Sequence, residues 1–189
     1  MLRHDDLTIN ALDASALGIF FAYLNDHLGD NGAPGTGYFQ PLPRQQSEMP
    51  TDKMESFRRG LQSALGEPGW RRLWVAHSAD GSIAGHIDLR AHPEAHTGHR
   101  CLLGMGVERT HRRQGLGARL LAHAEQWAAE HGLEWIDLKV LAVNEAAISL
   151  YRRNGYTCTG ESADMFRFDG QAFSYVGMSK RIMPAQPGR

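Results

Sequence analysis

Residues 112–118, with the sequence RRQGLGA, have the composition of a phosphate-binding turn. They lie between an apolar run that predicts a strand and a longer run that predicts a helix. The first backbone N–H groups of a helix are unpaired and carry partial positive charge, so they attract anions. Gly115 and Gly117 have no Cβ to keep a ligand away from those amides, and Arg112 and Arg113 add positive charge. The turn therefore predicts a site for a phosphorylated ligand.

Two common nucleotide motifs do not fit this turn. Its spacing differs from the dinucleotide fingerprint G-x-G-x-x-G, and no Gly-Lys-Ser/Thr follows it as in NTP-binding loops. A structural explanation also stays open, because glycines at a strand-to-helix turn can serve chain geometry and arginines near a helix start are commonly solvated. By itself the turn does not name its ligand.

The pattern R-x-x-G-x-G at residues 112–117 resembles the Arg/Gln-x-x-Gly-x-Gly/Ala signature of the GNAT superfamily of N-acetyltransferases, whose loop amides hold the pyrophosphate of coenzyme A. Residues 144–156, with the pattern N-x-x-A-x-x-L-Y-x-x-x-G-Y, are similar to the other common element of that family. The two blocks stand in the family's order, with a predicted helix and strand between them. The resemblance is close over roughly residues 70–180 and extends to the first 70 residues only in general layout.

The resemblance implies that the chain uses acetyl-CoA as a co-substrate. The residues expected to contact it lie at the end of the preceding strand, in the turn and in the second block: Met105, Gly106, Val107, Arg112, Arg113, Gln114, Gly115, Leu116, Gly117, Ala118, Asn144 and Tyr151. An amide near Met105 would polarise the thioester carbonyl, and Gly104 and Gly106 would leave room for the pantetheine arm. A bulge or close packing against the first helix is the other explanation for these glycines. Asn144 is also a good N-cap, which alone would account for it.

Transfer of an acetyl group to an amine requires a neutral amine, a stabilised oxyanion and a proton for the leaving thiolate. The resemblance implies that Tyr151 lies near the sulfur and supplies that proton, although a tyrosine on an amphipathic helix commonly just packs its ring. An alkylammonium group with a pKa of ~10.4 is neutral to only about one part in two thousand at pH 7, so a base would help. His99 is the first candidate, because some members of the family place a base near that point. Glu108, Asp88 and His86 are weaker candidates.

Composition and charge disfavour several other classes of protein. The chain has 189 residues, 20 basic against 21 acidic side chains and a formal net charge of -1, so nothing favours a nucleic-acid or membrane partner. No apolar run reaches membrane-spanning length. Cys101 and Cys158, both expected to be buried thiols, are too few for a disulfide framework, which makes a reduced cytoplasm the expected location. The histidines between residues 86 and 99 lack carboxylate or cysteine partners at ligand spacing, so no metal site is predicted.

The hydrophobic pattern predicts a single α/β (α+β) domain over residues 1–189, with a GNAT-like mixed, partly parallel, six- to seven-stranded sheet flanked by about four helices. Expected strands cover residues 7–12, 71–78, 82–90, 100–108, 135–143, 156–161 and 165–180, the last as a hairpin around Asp169 and Gly170. Expected helices cover residues 14–28, 52–65, 115–132 and 144–155. Residues 1–70 would form the acceptor side, with a long loop at 29–50. Residues 71–181 would form the acetyl-CoA-binding core, and residues 182–189 a tail.

The sequence leaves three functions to weigh. The first is an N-acetyltransferase that moves acetyl from acetyl-CoA to a primary amine of a small molecule or protein, by direct attack in a ternary complex. The second is a non-catalytic coenzyme A-binding sensor or structural protein on the same fold. The third, a nucleic-acid-binding module built on the arginines at 109–113 and 152–153, is disfavoured by the charge balance. Aromatic and β-branched residues in the C-terminal hairpin could pair two copies in a homodimer, an assembly common in the family.

Overall fold

The structure is a computed structural model that describes residues 7–183. Those residues contain seven strands and four α-helices, with short 3-10 turns between some of them. In chain order the elements are β1 (Thr8–Ala11), α1 (Leu17–Leu28), α2 (Thr51–Gln62), β2 (Arg71–His77), β3 (Ile83–Ala91), β4 (Arg100–Val107), α3 (Leu116–Glu130), β5 (Trp135–Leu141), α4 (Glu145–Arg153), β6 (Thr157–Phe168) and β7 (Gln171–Arg181). This arrangement confirms the expected α/β (α+β) fold.

The strands form one mixed sheet in the order β1-β2-β3-β4-β5-β7-β6. β4 and β5 pair in parallel, because α3 crosses over between them and returns the chain to the same end of the sheet. Their ladder covers only residues 100–102 of β4 and 135–137 of β5. Beyond it, β4 stays paired with β3 as far as Val107, and β5 with β7 as far as Leu141. The sheet therefore opens between these two strands into what we call the β4–β5 gap.

Helices cover both faces of the sheet, and the strands supply each face alternately. On β2, Trp74 and Ala76 join a core cluster with α3 and α4, whereas Leu73 and Val75 join a second cluster with α1 and α2. A fully buried Leu or Phe side chain contributes about 1.5–3 kcal/mol relative to an exposed one, so both clusters hold their helices on the sheet. Within residues 7–183 no helix is long and apolar enough to cross a membrane.

The C-terminal hairpin differs from the expected short strand at 156–161 followed by a separate hairpin. The structure has a single β6 of 12 residues, paired with β7 but irregular between Cys158 and Gly160 and between Ser162 and Phe166. Asp164, with φ +48°, lies in the second irregularity. The long β7 carries the pairing across both bulges, which the polar residues near 161–164 had hidden from the hydrophobic pattern.

Two smaller expectations are also wrong. α2 ends at Gln62 rather than near Leu65, because Ser63 is extended, with φ −74° and ψ 139°. Cys158 is exposed, unlike the buried Cys101, because it lies on the edge strand β6.

Candidate active site

The turn at residues 112–115 leaves the N-terminus of α3 without a side-chain cap. Gly115 precedes the helix and has a left-handed backbone, with φ +81° and ψ −6°. A side chain there would be strained, which explains why glycine occupies the position. The first helical hydrogen bond runs from Arg119 N to Gly115 O at 3.2 Å, so the N–H groups of residues 116–118 have no partner within the helix. The unpaired amides at this helix end are those of Leu116, Gly117 and Ala118.

Gly117 joins the turn to the second sequence block. A Cβ on Gly117 would lie only 2.8 Å from Leu150 Cδ2, so its missing side chain lets α3 pack closely on α4. Asn144 caps α4 as expected, because its Oδ1 accepts a hydrogen bond from Ala147 N at 3.3 Å. Both residues therefore have structural roles that hold the two blocks together.

The cationic and polar side chains of the turn point in different directions. Arg112 Nε donates to Val107 O at 3.0 Å, and its terminal Nη2 lies 3.6 Å from Asp30 Oδ2. The turn is thus fastened both to the end of β4 and to the residues just after α1. Arg113 is exposed, with φ +60°. Gln114 is exposed too, and its Nε2 donates to Thr110 O at 2.6 Å.

The backbone of β4 directs its free polar groups into the β4–β5 gap. Glu108 N donates to Ala84 O at 2.9 Å, so this residue and, by alternation, Gly106 face β3. Met105 and Val107 face the opposite way, which agrees with the bond that Val107 O accepts from Arg112. The Met105 N–H therefore points into the gap, past the end of the ladder with β5.

The β4 glycines make room for side chains from neighbouring elements. A Cβ on Gly104 would lie 2.5 Å from Asp88 Oδ1, and one on Gly106 would lie 2.6 Å from His86 Cε1 and 3.0 Å from His27 Nε2. The expectation that these glycines leave room for the pantetheine arm is therefore wrong for this face of the sheet. Close packing, partly against α1, is the reason for them.

Tyr151 lies on α4, buried in the core beside α3. Its ring meets that of Tyr156 edge-on, with centroids 5.7 Å apart. Burial raises the pKa of the Tyr151 phenol, so the hydroxyl keeps its proton at neutral pH. Within residues 7–183 that hydroxyl makes no hydrogen bond.

His99 does not lie with the other candidate residues. It is exposed just before β4, where its carbonyl oxygen accepts from Glu134 N at 2.8 Å and Trp135 N at 3.2 Å. Six residues of extended strand separate it from Met105, a distance of about 20 Å. The structure places it at the end of β4 where the ladder with β5 is closed, so no role in the site follows from its position.

The two acidic candidates are already engaged by neighbours. Asp88 is buried and accepts from both Arg71 and, at 3.1 Å, Arg90. Glu108 Oε2 accepts from Thr110 N at 2.7 Å. Neither carboxylate is free to act as a base, because Asp88 is paired with two arginines and Glu108 caps the turn after β4.

Sequence reasoning missed two residues of α1, Tyr23 and His27, that lie with the candidate His86 of β3 close to Gly106. We call Tyr23, His27 and His86 the His27 cluster: the Tyr23 hydroxyl lies 3.2 Å from His86 Nδ1, and the Tyr23 and His27 rings stack with centroids 6.0 Å apart. Burial lowers the pKa of His27 to about 4 and that of His86 to about 3, so both rings are neutral at pH 7. The available signal was the i, i+4 spacing of Tyr23 and His27 on one helix face. Among the described residues, no three His, Cys, Asp or Glu side chains are grouped to hold a metal ion.

The loop between α1 and α2 covers the His27 cluster. Asn31 is fully buried and orders this loop, because its Oδ1 accepts from Phe39 N at 2.8 Å and Gln40 N at 2.9 Å. The Phe39 ring lies 4.9 Å from that of His27. Tyr38 reaches the β6–β7 turn, where its hydroxyl donates to Asp169 Oδ2 at 2.7 Å. The loop between α1 and α2 therefore covers the His27 cluster, and hydrogen bonds to Asn31 and to Asp169 hold it in place.

Comparisons with known proteins identify the family of this chain. The sequence model of the acetyltransferase (GNAT) family matches residues 39–156, which include the turn at α3 and the whole of the α4 block. The chain belongs to the acetyltransferase (GNAT) family. This confirms the resemblance drawn from the two sequence blocks.

Curated relatives of this GNAT chain differ in what they are named for. Streptothricin acetyltransferase of Streptomyces lavendulae is 31% identical over 122 residues, which cover 63% of this chain and 64% of that protein. The N-terminal acetyltransferase A complex catalytic subunit NAA10 of Arabidopsis thaliana is 30% identical over 101 residues, 52% of each protein. The chain spans less than two thirds of the length of these curated relatives.

Solved GNAT structures share the fold at low sequence identity. The acetyltransferase of GNAT family from Streptococcus pneumoniae has a TM-score of 0.76 at 22% identity and covers 93% of this chain and 99% of its own. A GNAT superfamily phosphinothricin acetyltransferase from Sinorhizobium meliloti, solved in complex with AcCoA, has a TM-score of 0.74 at 13% identity. It covers 97% of this chain and 92% of its own.

Proposed function

We propose that this GNAT chain is an acetyl-CoA-dependent N-acetyltransferase that acetylates a primary amine by direct attack in a ternary complex. The observation that carries the proposal is the uncapped N-terminus of α3, which follows a left-handed Gly115 and stands beside the open β4–β5 gap. Anion site and gap together match a donor with a pyrophosphate at one end and a thin thioester arm at the other.

The donor's pyrophosphate would be held by the amides of residues 116–118, where the helix dipole adds to their attraction. Arg113 and Gln114 are exposed beside them and would contact the phosphates as well. Arg112 would add positive charge without contacting the phosphates, because its guanidinium already bonds to Val107 O and lies beside Asp30. The AcCoA complex of the S. meliloti protein supports this choice of donor.

The thioester arm would enter the β4–β5 gap along the edge of β4. Met105 N–H points into that gap and would donate to the thioester carbonyl, stabilising the oxyanion that forms on attack. Gly106 and Val107 would contact the arm through their backbone. Tyr151 would protonate the leaving thiolate, the role that the family resemblance implies, and burial raises the pKa of its phenol, so the hydroxyl carries its proton at neutral pH.

The acceptor would approach from the face of the sheet covered by α1, α2 and the loop between them. Asp88 and Arg90 from β3 lie on that face and would meet a polar acceptor. The relatives are named for a streptothricin and for protein N-termini, so both a small amine and a polypeptide are candidates for this chain.

A thiol-release assay tests the proposed function. Acetyl-CoA is incubated with the protein and streptothricin, phosphinothricin or a peptide with a free N-terminus, and free coenzyme A is followed with time. We expect amine-dependent release, with the acetylated amine identified by mass spectrometry. Tight binding of acetyl-CoA without release or acetylated product for any amine would favour the non-catalytic sensor instead.

A further inference from the structure

The His27 cluster lies against β4 where the proposed thioester would be attacked. The Cβ position above Gly106 is 3.0 Å from His27 Nε2, and Gly106 directly follows Met105. Consecutive Cα atoms of a strand are only 3.8 Å apart, so His27 Nε2 lies over the backbone next to the Met105 amide. The imidazole is on the face of the sheet that α1 covers, and the Met105 N–H points along the sheet into the gap. A group bound at the gap would have this imidazole beside it.

His27 is held in place but is not fully satisfied. Its ring packs between Tyr23 and Phe39, with the Phe39 centroid 4.9 Å away. Its Nδ1 is buried and has no hydrogen-bond partner within the described residues. A buried polar atom without a partner destabilises the folded state. Such atoms are rare in native proteins, and a catalytic role is one reason for keeping them.

The surroundings keep His27 neutral and able to accept a proton. Burial lowers its pKa to about 4, and the positive charge of Arg112 lowers it further, while the acidic groups around it act in the opposite direction. These acids are Asp26 and Asp30 from α1 and its following turn, and Glu108 after β4. From β3 it meets His86, which is itself neutral at pH 7 because burial lowers its pKa to about 3.

We propose that His27 is the general base of this enzyme and that its Nε2 accepts the proton released by the acceptor nitrogen. Tyr23 and His86 are positioning residues, because they fix the ring through stacking and through their own 3.2 Å contact. The assignment rests on the proposed function and replaces His99, which lies at the far end of β4.

The neutral amine forms an N–C bond to the thioester carbon, and the carbonyl oxygen becomes an oxyanion held by Met105 N–H. The adduct nitrogen is positively charged and more acidic than a free ammonium group, so an imidazole of low pKa can take one of its protons. The C–S bond then breaks, the C=O bond re-forms, and Tyr151 protonates the sulfur. Water returns the proton from the His27 imidazolium to the Tyr151 phenolate, so one amine and one acetyl-CoA give one amide and one thiol.

The first test compares His27→Gln with the matched control His123→Gln. Burial also lowers the pKa of His123, but this residue packs against Trp74 on the opposite face of the sheet. With the amines of the thiol-release assay, we expect His27→Gln to lower kcat/KM for the acceptor by about 10²–10⁴-fold, the usual loss for a general base. Acetyl-CoA affinity should stay at the wild-type value, and His123→Gln should retain wild-type turnover.

A second measurement separates a chemical role from a structural one. Imidazole added to His27→Ala should restore part of the lost rate, because it can enter the space left by the ring. The NMR titration of His27 should also show a higher pKa with acetyl-CoA bound than without it, because the pyrophosphate offsets the charge of Arg112.

Three results would overturn the assignment. The first is wild-type turnover in His27→Gln. The second is a rate loss in His27→Ala that imidazole does not restore. The third is a His27 pKa that acetyl-CoA leaves unchanged. A wild-type protein that acetylates no amine while binding acetyl-CoA would instead contradict the proposed function itself, and His27 would then have no reaction to assist.

Discussion

Tyr38 and Asp169, 131 residues apart in sequence, are joined by a hydrogen bond of 2.7 Å from the Tyr38 hydroxyl to Asp169 Oδ2. The same carboxylate oxygen accepts a hydrogen bond from Arg44 N at 2.7 Å. Tyr38 and Arg44, both in the α1–α2 loop, therefore hold the turn between β6 and β7. The Tyr38 ring adds edge-on contacts with Phe168 and Phe173, with centroids 5.3 and 5.1 Å away. The loop that packs on His27 is therefore anchored to the far side of the acceptor face.

Tyr38→Phe should loosen this cover without disturbing the donor side. The ring contacts stay and only the hydrogen bond is lost, so we expect a higher KM for the acceptor and an unchanged acetyl-CoA Kd. Steady-state kinetics with varied acceptor and calorimetric titration with acetyl-CoA check the two halves. Equal changes in both constants would show that the contact serves the whole fold rather than the acceptor face.

The stability of the protein should fall as the pH drops below 6.5, because the half-buried His27 and the buried His86 are neutral rings with their pKa lowered to about 4 and about 3. The unfolded chain binds protons that the folded chain refuses in this range, so the free energy of unfolding rises with pH between roughly 4 and 6.5. Each histidine contributes up to about 1.4 kcal/mol per pH unit. Urea unfolding across this range measures the slope.

The double variant His27→Gln with His86→Gln is the control for that slope. It should flatten the dependence on pH between roughly 4 and 6.5, because neither glutamine titrates. A slope as steep as that of the wild type would assign the acid sensitivity to other groups.

Gly115→Ala should weaken acetyl-CoA binding, and Gly115→Asp should weaken it more. A side chain at φ +81° strains the turn by about 1–2 kcal/mol, and the aspartate also places a negative charge at the anion site. We expect Gly115→Asp to abolish measurable binding. Calorimetric titration with acetyl-CoA gives both affinities.

Gly132 offers the matched control for Gly115. It lies just beyond the other end of α3, also has a left-handed backbone with φ +76° and also has open space around it. Gly132→Ala should cost similar stability and leave acetyl-CoA affinity unchanged. A comparable loss of affinity in this variant would mean that the effect at Gly115 is a general loosening of α3.

Tyr151→Phe should lower turnover more than acetyl-CoA affinity. The thiol is a moderately good leaving group, so we expect a loss of about tenfold, smaller than the usual ~10²–10⁴-fold for a general acid. Tyr156→Phe, which removes only the hydroxyl from the ring packed against Tyr151, is the control and should retain wild-type kcat. Unchanged turnover in Tyr151→Phe would remove this residue from the mechanism.

The strand-to-helix turn and the helix after it could be predicted from the sequence because their structure depends on local residues. Gly115 and the following amides belong to one turn, and the need for a glycine at a left-handed position does not depend on distant contacts. The apolar stripe of α3, including Leu116, Leu120 and Leu121, is likewise a local pattern, and all three residues are buried. The fold class followed from the order of such elements.

Contacts between distant segments explain what the sequence analysis missed. His27 is separated from Gly106 by 79 residues, and only the packing of α1 on β4 brings them together. His99 was a candidate because some members of the family place a base near that point, but in the structure it lies at the end of β4 where the ladder with β5 is closed, whereas the gap opens at the other end. The register between β4 and β5, which sets where the gap begins, has no signature in either strand alone.

A mass balance of donor and product tests the central claim most directly. The wild-type protein is supplied with acetyl-CoA labelled in the acetyl group together with the amine panel, and both the labelled amide and the free coenzyme A thiol are counted in the same sample. We predict an acetylated amine in an amount equal to the thiol released, with no labelled protein remaining. Thiol released without labelled amide, label retained on the protein, or bound acetyl-CoA that never turns over would contradict direct acetyl transfer to an amine.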